Sequence, residues 1–267
     1  MIMKIPVPKD FDFTKIISYR PFFFFHKDAP MRSFLFNTKP AEIEFFQDNN
    51  YLVMKTDKPI DKTDIKTFTE RIRYCFGIDE DLTGFYNIAK NDEILSKHYG
   101  AIYGNRLFSA YSDFEACVSI ICSQNTSFRQ YKSILKNIID VYGKESYFPD
   151  PEHILKHPGN LKKCGVGYRD KYIIEACLTY RFKKSIDRES LAKIKGFGRY
   201  SIDIFRLFQE RDYDYFYVDR LIKKIFRTEY RASLANDFEV RNFAEKKFGK
   251  YAGLCEVYLQ KLLCDNR

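Results

Sequence analysis

At about residue 58 the hydrophobic period of this chain changes. Up to that point, short β-prone runs are separated by turn residues: Phe22–Phe25, Ser33–Phe36, Glu42–Phe46 and Tyr51–Lys55, with Asp48, Asn49 and Asn50 as a hairpin loop between the last two. From Pro59 onward apolar residues recur at three- and four-residue spacing. Thr63–Phe76, Asp113–Cys122, Phe128–Tyr142, Tyr168–Phe182, Phe238–Phe248 and Gly253–Leu263 all read as helices. The breaks between them are short and hold Gly or Pro, as in Phe148-Pro149-Asp150-Pro151. The division predicts a mainly α protein with a small N-terminal antiparallel β-sheet (α+β): a β domain over residues 1–58 and a helical region over 59–267.

At 267 residues the chain is long enough to bury a sizeable core, in one large domain or two modest ones. Its 26 Phe and 20 Tyr, with no Trp, supply much of that core. Lys and Arg number 45 against 36 Asp and Glu, a net charge of +9. Such a balance suits a polyanionic partner, because each phosphate contact releases condensed counterions, although it also serves solubility. Seven cysteines at irregular spacing, with no CxxC pair, read as reduced thiols rather than a disulfide framework or a zinc site. Of the four histidines, only His153 and His157 stand four apart, and they lack a third ligand, so a surface role is expected. No run reaches the length of a membrane span, and MIMKIPVPKD has no signal-peptide core. The expectation is a soluble, intracellular monomer, cytoplasmic or, in a eukaryote, nuclear.

The most informative stretch, Leu191 to Phe208, reads Leu-Ala-Lys-Ile-Lys-Gly-Phe-Gly-Arg-Tyr-Ser-Ile-Asp-Ile-Phe-Arg-Leu-Phe. A short helix ends near Ile194, Lys195-Gly196-Phe197-Gly198 turns tightly, and a second helix starts near Arg199, burying Ile202, Phe205 and Phe208. The two glycines permit tight backbone angles and let the chain lie close to a bulky anion. Free N–H groups at the start of the second helix then face a phosphate, with Lys195 and Arg199 flanking the turn. A GxG between helices also closes an ordinary αα-hairpin. Cys164-Gly-Val-Gly-Tyr168 has the same pattern without the apolar helix before it.

Twenty-one residues after Gly198, a carboxylate opens another helix in Tyr217-Val-Asp219-Arg-Leu-Ile-Lys-Lys-Ile-Phe226. The loop Gln209–Phe216 is long enough to return Asp219 to the hairpin. Taken alone, an aspartate at this position is a helix cap. Hairpin (188–208) and aspartate segment (217–226) together resemble the helix-hairpin-helix, Gly/Pro-rich, Asp (HhH-GPD) superfamily of DNA glycosylases, between its alkyladenine and 8-oxoguanine branches. The resemblance implies base-excision repair of a damaged purine in double-stranded DNA, with base flipping and Asp219 as the catalytic residue. A carboxylate there stabilises an oxocarbenium-like sugar and orients the attacking water. It also implies that Gln124 or Asn125, in Ser123-Gln-Asn-Thr-Ser127, fills the gap left by the extruded base, where the same segment also caps the next helix. Hairpin carbonyls of Ala192, Ile194 and Phe197 match positions that hold K⁺ or Na⁺ in relatives. No other cofactor is expected, and no iron–sulfur cluster, since only Cys255 and Cys264 occur where relatives have four C-terminal cysteines.

The sequence also departs from its relatives. Bifunctional members cut the strand with a lysine in the position after GxGx, which here is Tyr200. Tyrosine forms no Schiff base, so a monofunctional hydrolase is expected, with Tyr200 lining the base pocket or packing the hinge. By register with the 8-oxoguanine branch, Glu256 replaces a base-reading Gln and Gln260 a stacking Phe. Glu256 is then either an acceptor for a guanine edge or a surface charge. The alternatives are a bifunctional 8-oxoguanine-type glycosylase and lyase, and a non-catalytic DNA-binding module.

Overall fold

The computed structural model describes residues 1–18, 25, 29–143 and 147–264. Its sheet has four antiparallel strands: β1 (Ile2–Pro6), β2 (Met31–Phe36), β3 (Lys39–Asp48) and β4 (Tyr51–Lys55), in the order β1-β4-β3-β2. The expected hairpin is present, with Asn49 in the left-handed region at φ 52° closing the turn between β3 and β4. Strand β1 was not anticipated. Phe22 to Phe24 of the expected first strand lie outside the described residues, and Phe25 stands outside any strand, its ring against Phe45 and Phe108.

Alternation along the strands puts Met3, Ile5, Phe34, Phe36, Ile43, Phe45, Leu52 and Met54 into one core. Two helices cover it. From α1 (Phe13–Ser18) come Phe13 and Ile16, and from α2 (Lys62–Cys75) come Phe68, Ile72 and Cys75, spaced four and three apart. The sheet core thus takes in a helix from beyond residue 58.

The helical body follows: α3 (Thr83–Asn91), α4 (Tyr99–Ile102), α5 (Asp113–Ser123), α6 (Phe128–Tyr142), α7 (Pro151–Lys156), α8 (Asp170–Tyr180), α9 (Arg188–Lys193), α10 (Arg199–Phe205), α11 (Arg220–Thr228), α12 (Asp237–Phe248) and α13 (Ala252–Cys264). Helix α5 is its axis, with every residue from Phe114 to Cys122 buried. A helix buried all round is a core helix, so the charge it carries needs a partner. Glu115 has one: the guanidinium of Arg32, on β2, reaches both its oxygens at 2.7 and 2.5 Å. Two further pairs tie the same regions together, Arg106 to Asp10 at 2.7 Å and Arg211 to Glu80 at 2.7 Å. Expected helices lie within a residue or two of their places, except that α8 begins at Asp170 after a 3-10 turn over Gly167–Arg169.

Candidate active site

The site is assembled from four segments, beginning with the hairpin. Asp187 caps α9 by accepting from the Ser190 N–H at 2.8 Å. The chain then turns through Phe197 N–H to Ile194 O at 2.9 Å, and α10 starts with the Ile202 N–H donating to Gly198 O at 3.0 Å. Phe197 points inward, its ring edge-on to Phe205, so the turn is fastened from below while Lys195, Gly196, Gly198 and Arg199 face solvent.

Of the two roles expected of the glycines, tight backbone angles and an open approach, the first falls to Gly196 alone. Gly196 has φ +82°, and a Cβ there would stand 2.4 Å from the Tyr172 ring. Gly198 has an ordinary φ of −76°, and a Cβ on it would meet nothing within 4 Å. Its missing side chain therefore clears space outside the protein, at the start of a helix whose first N–H groups lack intrahelical partners. Ile202 is half-buried rather than buried, while Ile204, Phe205 and Phe208 form the inner face.

The second segment is the loop between α5 and α6. Gln124 turns back onto the hairpin, its side-chain amide donating to Gly196 O at 2.7 Å and to Ser201 Oγ at 3.2 Å. Its own carbonyl is held by the guanidinium of Arg169. Asn125 is the exposed tip, in the left-handed region at φ 48°, with its amide on the Tyr168 hydroxyl at 3.2 Å. Ser127 caps α6, as its place in the sequence allows.

The third segment, residues 213–219, runs into α11. Asp219 caps this helix, Oδ1 accepting from the Ile222 N–H at 2.8 Å, and the same oxygen meets the Gln260 amide at 3.5 Å. Asp219 is only partly exposed, and burial pushes its carboxyl above the usual range against the lowering effect of those bonds and of Lys223. It makes no ion pair among the described residues. Tyr200, the residue after the turn, lies beside it. Its ring is edge-on to Tyr217 with centroids 5.5 Å apart, and its hydroxyl is pushed up to about 12 by burial and by the Asp219 and Glu256 carboxylates.

The fourth segment is α13, which can approach because residue 253 is glycine. A Cβ at Gly253 would sit 1.9 Å from Tyr215 O, and its N–H instead donates to Tyr213 O at 2.9 Å. That approach sets Glu256 beneath the site. Glu256 is fully buried, accepting from the Tyr217 N–H at 3.1 Å and from the Gln260 amide at 3.2 Å. Burial first, and Asp219 second, push its carboxyl well above the ordinary value. It is neither a surface charge nor an open pocket wall. Gln260 is half-buried and bridges the two carboxyl groups, with its Oε1 on the Tyr217 hydroxyl at 3.4 Å.

Three residues of this arrangement have no distinguishing sequence signal. Tyr217 is one of twenty tyrosines. Asp203 on α10 and Arg241 on α12 form a 2.7 Å ion pair, and Arg241 also holds Phe216 O, so the hairpin and the approach to Asp219 share one anchor. The carbonyls of Ala192, Ile194 and Phe197 belong to the end of α9 and the turn, and that of Ile194 already accepts from Phe197. Among the described residues no group of three His, Cys, Asp or Glu side chains is placed to hold a metal. His153 serves as a cap acceptor for the Asp150 N–H at the start of α7. No helix among the described residues is long and apolar enough to cross a membrane.

Residues 118–250, which span the loop after α5, the hairpin and Asp219, match the family model of HhH-GPD superfamily base excision DNA repair proteins. The chain belongs to the HhH-GPD superfamily. A curated relative from Methanothermobacter thermautotrophicus, named a probable N-glycosylase/DNA lyase, is 27% identical over 233 residues, covering 73% of this chain and 74% of its own. Two solved structures share the HhH-GPD fold across the whole chain. The 8-oxoguanine glycosylase/lyase of Clostridium acetobutylicum, in complex with DNA, superposes with a TM-score of 0.76 at 21% identity, covering 100% of this chain and 98% of that one. The 3-methyladenine DNA-glycosylase of Archaeoglobus fulgidus gives 0.77 at 17% identity, covering 97% of each. At these identities the likeness speaks to fold.

Proposed function

We propose that this HhH-GPD protein is a DNA glycosylase that hydrolyses the N-glycosidic bond of a damaged purine in duplex DNA, acting as a monomer and leaving the strand uncut. The observation that carries the reading is the juxtaposition of Asp219 with Tyr200 at the mouth of the hairpin, where a strand-cutting enzyme of the family would present an amine. The turn at 195–199 takes a backbone phosphate and Asn125, with Gln124 behind it, stands at the gap in the duplex. An extruded nucleotide then meets Asp219 and the ring of Tyr200.

The C1′–N bond breaks with its electron pair leaving on the purine, and positive charge develops on the sugar. The Asp219 carboxylate stabilises that charge and orients a water, whose oxygen bonds to C1′ and whose proton passes through solvent to the departed purine, leaving an abasic site and the free base. Glu256, its carboxyl pushed well above the ordinary value by burial, keeps Gln260 against Asp219. The Ala192, Ile194 and Phe197 carbonyls, as neutral oxygen donors at a helix end, fit a monovalent cation, which would stiffen the turn.

A bifunctional reading is favoured by one observation, the relative named an N-glycosylase/DNA lyase, and Lys195 is an exposed amine in the turn itself. Duplexes carrying 8-oxoguanine, alkylated adenine or hypoxanthine separate the two. Cleavage only after hot alkali supports hydrolysis. Cleavage without alkali, with a borohydride-trapped adduct, establishes the lyase, and intact DNA binding with no base release from any duplex leaves a binding module.

A further inference from the structure

The residue after Asp219 opens a second feature. Arg220, Lys223, Lys224, Arg227 and Arg231 line a hollow of about 400 Å³ between α11 and α12, with Leu234 and Val240 contributing apolar surface to it. All five cations are exposed. Asp237 answers Lys223 at 2.5 Å, and the other four make no ion pair among the described residues. Those four cations around one hollow repel one another, and that repulsion is relieved by a multiply charged anion.

Spacing narrows the class of anion. Arg220, Lys223 or Lys224, and Arg227 recur every three or four residues, so they share one face of α11, over about 10 Å of helix axis. Arg231, in the left-handed region at φ 54°, prolongs the row past the helix end. A DNA strand advances about 3.4 Å of duplex axis per nucleotide, so a row of this length, prolonged by Arg231, is on the scale of a few successive phosphates. The apolar floor suits the carbons of deoxyribose.

We infer that this hollow is a second DNA-backbone site, holding phosphates that flank the damaged nucleotide, apart from the hairpin turn. It rests on the proposed function only in requiring that the chain bind duplex DNA. The row begins beside Asp219 and leads away from it, so it lengthens the footprint in one direction from the lesion.

The test is binding by the full chain of a labelled duplex with one uncleavable tetrahydrofuran abasic-site analogue at a fixed central position, measured against salt. A Lys224→Gln, Arg227→Gln, Arg231→Gln triple variant, all exposed positions, is expected to lower the slope of log affinity against log salt by about 2 to 3, at about 0.9 for each phosphate no longer neutralised. The effect should disappear on a duplex shortened on one side and persist on a duplex shortened on the other. A Lys62→Gln, Lys66→Gln control on α2 should leave the slope unchanged. An unchanged slope in the triple variant overturns the inference. So does an effect equal in both shortened duplexes, or equal to that of the control. Base release from damaged duplex, followed in parallel, reports on the glycosylase reading separately: a changed slope with no release leaves the site standing and the activity refuted.

Discussion

The side-chain amide of Gln124 donates to the main-chain carbonyl of Gly196 at 2.7 Å, across 72 positions of sequence. Through this bond the loop after α5 and the hairpin turn hold one another in register. Replacing Gln124 with Ala leaves that carbonyl without its partner and the hairpin less constrained. A net hydrogen bond contributes about 1 kcal/mol, so DNA affinity should fall about fivefold. Fluorescence anisotropy at fixed salt measures it, and wild-type affinity would refute the coupling.

Asp219 caps α11 and, in the proposed reaction, also acts on the sugar; two substitutions separate the two roles. Asparagine caps helices as well as aspartate does, so Asp219→Asn should keep melting temperature and DNA binding while base release falls about a hundredfold or more. Asp219→Ala should lose release and also about 1 kcal/mol of stability from the missing cap. Equal release by the Asn variant and wild type would remove the carboxylate from the mechanism.

The two glycines of the turn should respond in opposite ways. At Gly196→Ala the methyl meets the Tyr172 ring and a left-handed φ, so the protein itself should be destabilised by about 1 kcal/mol or more. At Gly198 an added Cβ meets nothing in the protein, and serine caps a helix as well as glycine does, so Gly198→Ser should hold its melting temperature while Gly198→Leu lowers DNA affinity further than its own loss of the cap explains. Thermal melting beside a binding titration distinguishes the two; unchanged affinity in Gly198→Leu would mean that no phosphate sits there.

Glu256 binds its proton more tightly in the folded chain than in the unfolded one. Its contribution to stability is therefore complete below the unfolded value of about 4.3 and is lost as pH rises through the raised folded value. Glu256→Gln should match the wild type near pH 4 and become the more stable of the two as pH rises. Asp219 shifts in the same direction and lies against Glu256, so the difference between the melting curves reports the loss of the Glu256 carboxyl from that coupled pair. Parallel curves at every pH would show that folding does not raise the proton affinity of the Glu256 carboxyl.

Tyr200→Lys restores an amine at the position following GxGx. If the wild type hydrolyses, borohydride should trap a covalent DNA adduct with the variant and none with the wild type. Trapping by the wild type at a comparable rate would point to another lysine.

Legibility in the sequence followed the range of the interactions. Helices α5, α6 and α12 could be read because their apolar spacing is local, and the hairpin because glycines and flanking cations are neighbours in the chain. Strand β1 was missed because its five residues gain meaning only beside β4, where Ile5 pairs with Leu52. Asp219 could be placed by its distance from the turn. The burial of Glu256 could not, since it depends on Gly253 admitting α13 against Tyr215, a contact between segments whose spacing carries no pattern. The Asp203–Arg241 anchor escaped for the same reason.

Arg32 and Glu115 lie in different cores, one in the sheet and the other on the central helix, and both are almost wholly enclosed. Separating the two regions would strand a charge in each, at a cost of about 3–5 kcal/mol for a buried pair that loses a partner. Neither part can melt while the other stays folded without meeting that penalty. The sheet and the helical body should therefore unfold in a single cooperative transition, with slow amide exchange in β2 showing the same opening free energy as in α5.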